Sequence, residues 1–328
     1  MNDIVIYGII IALGALALDL AFGEPSNRFH PVAWMGLFIR AIDNRIPRGS
    51  KGERAYGVLL AFITIIVFVL LFTVVLGAVR LFLSAILWAV LCMIVLKLMF
   101  AIHSLSVHVK PIQSALEAGD LEGARNSARM VVSRDVSELD APHLISCASE
   151  TVAENLVDSI ISPMFFMAFG GVPAAVGLRA VNTLDAMVGY ENERNKEVGW
   201  FSAKFDDVLH FIPARLSIPF ILLALKLTGN DWHTGWRAAR RDHVRTKSPN
   251  KGWPMSAVAG GLRFQMEKKG NYLLGEGNLP QNPEMIMETY RVVRLTALIF
   301  FFVFALPLFI LIGIHVQILI ENILLSPF

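Results

Sequence analysis

Residues 57–79 read G-V-L-L-A-F-I-T-I-I-V-F-V-L-L-F-T-V-V-L-G-A-V. No charged side chain interrupts them. A helix needs roughly 20 apolar residues to cross a bilayer core, and this run supplies them with no polar face at all. After Arg80 a second run, 81–102, carries only Lys97, close enough to its end to snorkel. Two more strong runs lie at 4–22 and 295–320, and weaker ones at 156–181 and 211–228 are interrupted by Arg179 and Arg215. The composition agrees. Of 328 residues 55% are hydrophobic and 17% charged, and mean hydropathy is +0.57. Soluble domains carry about 25% charged residues. The expected fold class is all-α, a polytopic membrane protein of about four to six membrane helices, some re-entrant, with cytoplasmic helical and loop segments. Residues 1–328 read as one membrane-embedded domain without internal repeats.

The chain starts M-N-D, with no positive n-region and no small-residue cleavage site after the first run, so a cleaved signal is not expected. Arg28, Arg40, Arg45, Arg48, Lys51 and Arg54 follow that run. The positive-inside rule then puts the N-terminus outside and loop 23–56 in the cytoplasm. Runs 57–79 and 81–102 form a hairpin with a short outer turn. Segment 229–294, with eleven Lys and Arg, is again cytoplasmic. A net charge of +2 gives no nucleic-acid signal, and Cys92 and Cys147 form neither a disulfide framework nor a zinc spacing.

The polar residues gather in clusters. Asp140-Ala-Pro reads as a helix start, with Asp140 as N-cap and Pro142 in the first turn, and Pro163 kinks or ends that helix. Along it stand Glu150, Glu154 and Asp158. Two steps of four residues drift by only about 80°, so the three acids share a face. Such a face is most often solvated and paired with Arg or Lys. The apolar run that follows favours the other reading, a cation or phosphate–metal site, because uncompensated acids near lipid are costly. A second cluster, R-A-V-N-T-L-D-A-M-V-G-Y at 179–190, puts Arg179, Asn182 and Asp185 on one helical face, with Tyr190, Glu193 and Arg194 after Gly189. The pair Asp206-Asp207 at a helix start is more commonly mere capping. A third cluster, S-P-N-K-G-W-P at 248–254, is a rigid loop leading into a small-residue helix, a plain surface turn or a set of backbone donors for an anion. A fourth, at 19–32, places Asp19, Glu24 and His30 at the mouth of the first span. No P-loop, dinucleotide fingerprint, nucleophile elbow or H-E-x-x-H is present.

In this order the clusters resemble the membrane-bound adenosylcobinamide-phosphate synthase (cobinamide synthase) family of cobalamin biosynthesis. The matching stretches are D-L-A-F-G-E-P with H-P-V at 19–32, S-R-D-V at 133–136, E-T-V-A-E-N-L-V-D-S-I-I-S-P at 150–163 and R-A-V-N-T-L-D-A-M-V-G-Y at 179–190. G-W-F-S-A-K-F-D-D at 199–207, I-P-A-R-L at 212–216 and S-P-N-K-G-W-P at 248–254 complete the set, which spans nearly the whole chain. Glu24 departs from the family's usual Asp with the charge kept, and Leu156-Val157 stands where small polar residues are more familiar.

The resemblance implies an ATP- and Mg²⁺-dependent ligase. It joins the ring D propionate carboxylate of adenosylcobyric acid to aminopropanol or its O-phosphate, giving adenosylcobinamide or its phosphate. A carboxylate and an amine condense only after activation, usually as an acyl phosphate. That calls for carboxylates to hold the metal, cations for the transferring phosphoryl group and a base for the amine. On that chemistry Glu150, Glu154 and Asp158 are the metal candidates. Asn155, Asn182 and Asp185 complete or orient the shell. Arg179, Arg194 and Arg215 meet phosphates, and Asp206 or Asp207 is the base or a second metal ligand. Ser248, Asn250 and Trp253 hold a phosphate or the corrinoid edge, with Tyr190 and His30 as further binding residues. Because ATP is cytoplasmic, the active site is expected on the cytoplasmic side of the cell membrane. The cluster at 182–207 then requires 160–178 to be re-entrant or a buried pair of half-helices, for which Pro163, Gly170, Gly171 and Pro173 are suited. Complexes with neighbouring corrinoid-pathway enzymes, or a homo-oligomer, fit the same reading. A transporter, or a corrinoid-binding accessory protein without ligase chemistry, is the alternative, since broken helices with buried ionisable residues also mark transporters.

Overall fold

The structure is a computed structural model that describes residues 2–49, 52–132, 134–189 and 194–325. It is all-α apart from one small hairpin. In chain order the elements are α1 (Asn2–Ala21), α2 (Pro31–Asp43), α3 (Glu53–Ala78), α4 (Ala85–Lys97), α5 (Ile102–Glu117), α6 (Leu121–Arg129), α7 (Ala141–Leu156) and α8 (Ser162–Val188). There follow α9 (Trp200–Leu227), α10 (Trp232–Asp242), α11 (Gly252–Gly261), β1 (Gln265–Lys268), β2 (Tyr272–Gly275), α12 (Met285–Phe300), the single turn α13 (Leu306–Leu308) and α14 (Ile314–Leu325). Among the described residues six helical stretches are long and apolar enough to cross a membrane: Asp3–Ala21, Glu53–Leu83, Ala85–Glu117, Ala141–Val188, Trp200–Leu227 and Met285–Leu325. The chain is a multi-pass membrane protein. On α3, Leu60, Ala61, Thr64 and Phe68 face the protein, while Leu59, Phe62, Ile66 and Leu70 are exposed and suit lipid.

The chain divides into two compact units. The first comprises residues 1–101, 162–209 and 302–328. Here Ile39 of α2, Leu60 and Ala61 of α3, Leu184 and Val188 of α8 and Val198 form one buried cluster. The expected short turn after 57–79 is present: Ser84 is extended and caps α4, its Oγ accepting from Leu87 N at 3.1 Å. Lys97, expected to snorkel, instead stays buried, with Nζ 3.1 Å from Glu24 Oε1 and donating to Gly23 O at 3.3 Å. Pairing within reach satisfies the ammonium without the long extension to water.

Pro163 does not end its helix. Residues Val157–Ile161 form a π-turn and helix resumes at Ser162, so the wider turn absorbs the missing proline N–H. The break falls at Gly171 (φ 70°, ψ −162°), where α8 splits into two half-helices. Gln317 repairs it: its Oε1 accepts from Val172 N at 3.0 Å and its Nε2 donates to Glu321 Oε1 at 2.9 Å. Glu321 is fully buried and also receives Arg80 Nε at 2.6 Å and Trp88 Nε1 at 3.1 Å.

The second unit comprises residues 102–161 and 210–301. Asp140 caps α7 as expected, its Oδ1 accepting from His143 N at 3.1 Å. Asp120 caps α6 after Gly119 in the same way. Small residues let α10 and α11 approach closely, since a Cβ on Gly260 would stand 2.4 Å from Ala238 Cβ. The hairpin, absent from the sequence reading, pairs β1 and β2 antiparallel with Met266 opposite Leu274, both fully buried. It is tied to α7 through Glu267 N, which donates to Ser146 Oγ at 2.8 Å.

Candidate functional site

The second unit holds a cavity of about 410 Å³ whose walls come from four local structures. Glu154 comes from α7, Arg245 to Ser248 and Lys251 from the segment between α10 and α11, Met255 from α11, and Lys268, Gly270, Asn271 and Tyr272 from the hairpin. Four cationic side chains, Arg245, Lys247, Lys251 and Lys268, face one carboxylate, Glu154. Such an excess of fixed positive charge in a concave site selects an anion. Arg245 is locked in place: Nε lies 3.2 Å from Asp242 Oδ1 and Nη1 donates to Leu273 O at 2.8 Å. Asp242 is itself fully buried. Burial opposes its ionisation, but hydrogen bonds from Arg241 and from Gly275 N–H outweigh it and hold the carboxyl below the usual range.

The acidic face of α7 leads into this cavity. Lys251 Nζ lies 2.6 Å from Glu154 Oε1 and 3.7 Å from Asp158 Oδ2, so one ammonium bridges two of the three acids. Asp158, in the π-turn, also has His210 Nδ1 at 3.9 Å. Glu150 sits deeper, 5% exposed, with Arg134 Nη2 at 3.3 Å and a hydrogen bond from Tyr272. Burial and then the Glu150 charge push the phenol of Tyr272 well up, which keeps it a proton donor. Asn155 is turned along its helix, donating to Thr151 O at 2.9 Å and accepting from Ser159 Oγ at 2.9 Å.

Among the described residues no group of three or more His, Cys, Asp and Glu side chains stands where it alone could hold a metal ion. The donor chemistry still fits Mg²⁺ of a metal–phosphate complex, which uses one or two carboxylates and draws its remaining oxygens from phosphates and water. Glu154 and Asp158 already share a cation, Lys251, beside a cavity suited to phosphate.

The 248–254 loop is half in the cavity. Ser248 lines it. Asn250 is buried and its Oδ1 accepts from Arg215 Nη1 at 3.1 Å, while Arg215 Nη2 donates to Pro249 O at 3.4 Å. The Arg215 guanidinium lies 3.4 Å over the Phe211 ring and 5.6 Å from that of Trp253, which stacks on His243 at 3.9 Å. Arg215, Asn250 and Trp253 thus hold the loop in shape.

The remaining predicted residues lie in the first unit. Arg179, Asn182 and Asp185 are on α8, and Asn182 Nδ2 donates to Asp206 Oδ1 at 2.7 Å. Asp206 and Asp207 lie well inside α9, so the capping alternative for them does not hold. Arg194 Nη2 is 3.6 Å from Asp43 Oδ2. His30 caps α2, its Nδ1 accepting from Val32 N at 3.2 Å and its Nε2 lying 2.8 Å from Glu24 Oε2. Burial of Glu24 is outweighed by that hydrogen bond and by Lys97, which hold its carboxyl below the usual range. Tyr190 and Glu193 lie outside the described residues.

Sequence reasoning missed Lys251, Arg245, Lys247, Lys268, Tyr272 and Arg134. The loop stretch R-T-K-S-P-N-K at 245–251 carried a readable signal, a run of three cations among turn formers. Lys268 and Tyr272 carried none, because only the hairpin brings them to the cavity.

No solved structure matches the chain. The family described as "CobD/Cbib protein" matches residues 12–297. A Dehalococcoides mccartyi protein named "Cobalamin biosynthesis protein CobD" is 39% identical over 279 residues, 85% of this chain and 90% of that protein. Two proteins named "Probable cobalamin biosynthesis protein CobD" are similar over most of their lengths. That of Thermoplasma volcanium is 34% identical over 93% of this chain and 99% of its own, and that of Methanothermobacter thermautotrophicus 37% over 88% and 94%. With the motifs of both units inside the matched range, the chain belongs to the CobD/Cbib protein family.

Proposed function

We propose that this protein acts in cobalamin biosynthesis as an ATP-dependent amide ligase, joining adenosylcobyric acid to aminopropanol or its O-phosphate at the cytoplasmic face of the membrane. The relatives' names support the pathway. The observation that carries the chemistry is the cavity in which Arg245, Lys247, Lys251 and Lys268 surround the Glu154 carboxylate.

The reaction needs phosphate charge bound and neutralised while a propionate oxygen takes the phosphoryl group and ADP leaves. The neutral amine then forms the amide C–N bond as inorganic phosphate departs, and a proton is lost from nitrogen. Lys247, Lys251, Lys268 and the fixed Arg245 bind the phosphate oxygens, a role for which pre-oriented cations in a partly desolvated site are effective. Glu154 and Asp158 would hold Mg²⁺, which supplies charge neutralisation at the phosphates when bound. Glu150 lies behind them and orients Tyr272, whose hydroxyl keeps its proton. Asp206, held by Asn182, and Asp207 are the carboxylates proposed as base for the amine, and Arg179, Asp185 and Arg194 belong to the same unit.

Detergent-purified protein incubated with adenosylcobyric acid, Mg-ATP and aminopropanol phosphate should release ADP in step with a corrinoid mass gain equal to the amine minus water. Glu154→Gln should lose that product while staying folded, with only a small fall in melting temperature. If aminopropanol, its phosphate and ethanolamine phosphate all leave the corrinoid mass unchanged, the ligase reading fails and corrinoid binding without chemistry replaces it.

A further inference from the structure

A second cavity, of about 440 Å³, opens along α12 and has no part in the proposed chemistry. It is lined by Met287, Glu288, Tyr290, Arg291, Arg294, Leu295 and Leu298. Steps of four, three and four place Met287, Arg291, Arg294 and Leu298 on one stripe of the helix. The other side, with Ile286, Thr289, Val292, Val293 and Thr296, is buried in the protein. The stripe changes character along its length. Its first part carries two arginines against one carboxylate, with Glu288 Oε1 3.1 Å from Arg291 Nη1. From Leu295 it is apolar, and there the long stretch that is able to cross a membrane begins its uncharged portion. Both arginines are exposed, and no ion pair to Arg294 is found among the described residues.

We propose that this groove binds one anionic phospholipid. The headgroup phosphate meets Arg291 and Arg294, and the first acyl carbons lie along Leu295 and Leu298. Three observations select this occupant. The net charge of the groove's polar end is positive, so a zwitterionic headgroup gains less there than an anionic one. The charged and apolar parts are stacked along the axis of a membrane helix in the order of a phospholipid's own headgroup and tail. The cationic end belongs to the Lys- and Arg-rich segment 229–294, which the positive-inside rule assigns to the cytoplasmic leaflet, where anionic lipids accumulate. Glu288 pairs with Arg291 one turn along the same helix, while Arg294 is the main anchor.

The test uses the full-length protein in detergent and counts bound dioleoyl phosphatidylglycerol against dioleoyl phosphatidylcholine by native mass spectrometry. The parent protein should retain one phosphatidylglycerol in preference to phosphatidylcholine, and phosphatidylglycerol should raise its melting temperature. Arg294→Gln should weaken retention by roughly fivefold, and Arg291→Gln with Arg294→Gln by roughly 25-fold, from the usual contribution of a basic side chain near an anionic lipid surface. Arg294→Lys should keep most of the binding, and Arg240→Gln, a remote exposed arginine, all of it. Equal retention of the two lipids, or of phosphatidylglycerol by parent and double variant, would overturn the proposal. So would complete release of the lipid by inorganic phosphate, which would make the groove a free-anion site. If the double variant does not fold, Arg294→Gln and the two-lipid comparison on the parent protein decide the matter.

Discussion

Lys251→Met separates two roles for the ammonium that bridges Glu154 and Asp158. As a purely structural counter-ion, Lys251 stabilises the fold and nothing more. Its distances of 2.6 and 3.7 Å describe a close pair whose side chains are 33% and 28% exposed on the Lys251 and Glu154 sides. An exposed pair contributes about 0.2–1 kcal/mol, and partial burial raises that to about 1–2 kcal/mol. The expected fall in stability is therefore small, because the stranded carboxylates still reach water. As a phosphate-binding group, Lys251 matters more. Pre-oriented donors at a transferring phosphoryl group contribute about 3–4 kcal/mol, so ligation should fall by about 10²- to 10³-fold in kcat/KM. The assay is ADP release coupled to corrinoid mass in parent, Lys251→Met, Glu154→Gln and the double variant, with melting curves on each. Because both residues serve one site, the double variant should be little worse than Glu154→Gln alone. Turnover of Lys251→Met within threefold of the parent would refute the phosphate role and leave only the counter-ion.

Other consequences can be measured directly. Gln317→Leu strands Val172 N–H and removes a donor from buried Glu321, so stability in detergent should fall by about 2–4 kcal/mol, read as a lower melting temperature; a melt equal to the parent's would contradict the repair of the helix break. Gly171→Ala should destabilise by about 3 kcal/mol or more, because its φ of 70° disfavours a side chain and the new Cβ would stand 2.5 Å from Gln317 Oε1. The carboxyl of Asp242 is depressed in the folded state, so the stability it contributes is complete above its unfolded value of about 3.9 and is lost as pH falls through the lower folded value. Asp242→Asn should therefore melt lower than the parent near neutral pH, and the two should converge as pH falls below about 4; a gap that stays constant on acidification would exclude Asp242 as its source.

Much of the architecture was legible because membrane helices announce themselves by length and apolarity. The runs 57–79 and 81–102 needed no partner to be recognised, and the structure contains both. The half-helices around Gly171 were also legible, since two glycines between prolines leave a membrane segment few ways to continue. Pro163 was read as kinking or ending its helix; a π-turn at Val157–Ile161 interrupts the α-helix just before it, and nothing in V-D-S-I-I marks that wider turn. The hairpin at 265–275 was invisible for a different reason. M-E-K-K-G-N-Y-L-L alternates too briefly to be told from a loop, and its strands are fixed by Met266 and Leu274 packing inward and by Ser146 receiving Glu267 N–H.

The acidic face of α7 shows where spacing stops being informative. From the sequence, Glu150, Glu154 and Asp158 were either a paired surface or a cation site, and those readings competed because each names a partner that spacing does not contain. The structure supplies the partners. Glu150 pairs inward with Arg134 and Tyr272. Glu154 and Asp158 pair with Lys251, on a loop whose other cations line a cavity. Two carboxylates near an apolar segment need a cation, and the Lys251 ammonium supplies one. On the proposed function, an arriving metal–phosphate complex would bring both a cation for the carboxylates and oxygens for the lysine. Such an exchange would leave no charge unpaired at either end, and one side chain would then serve as counter-ion before binding and as phosphate ligand after it.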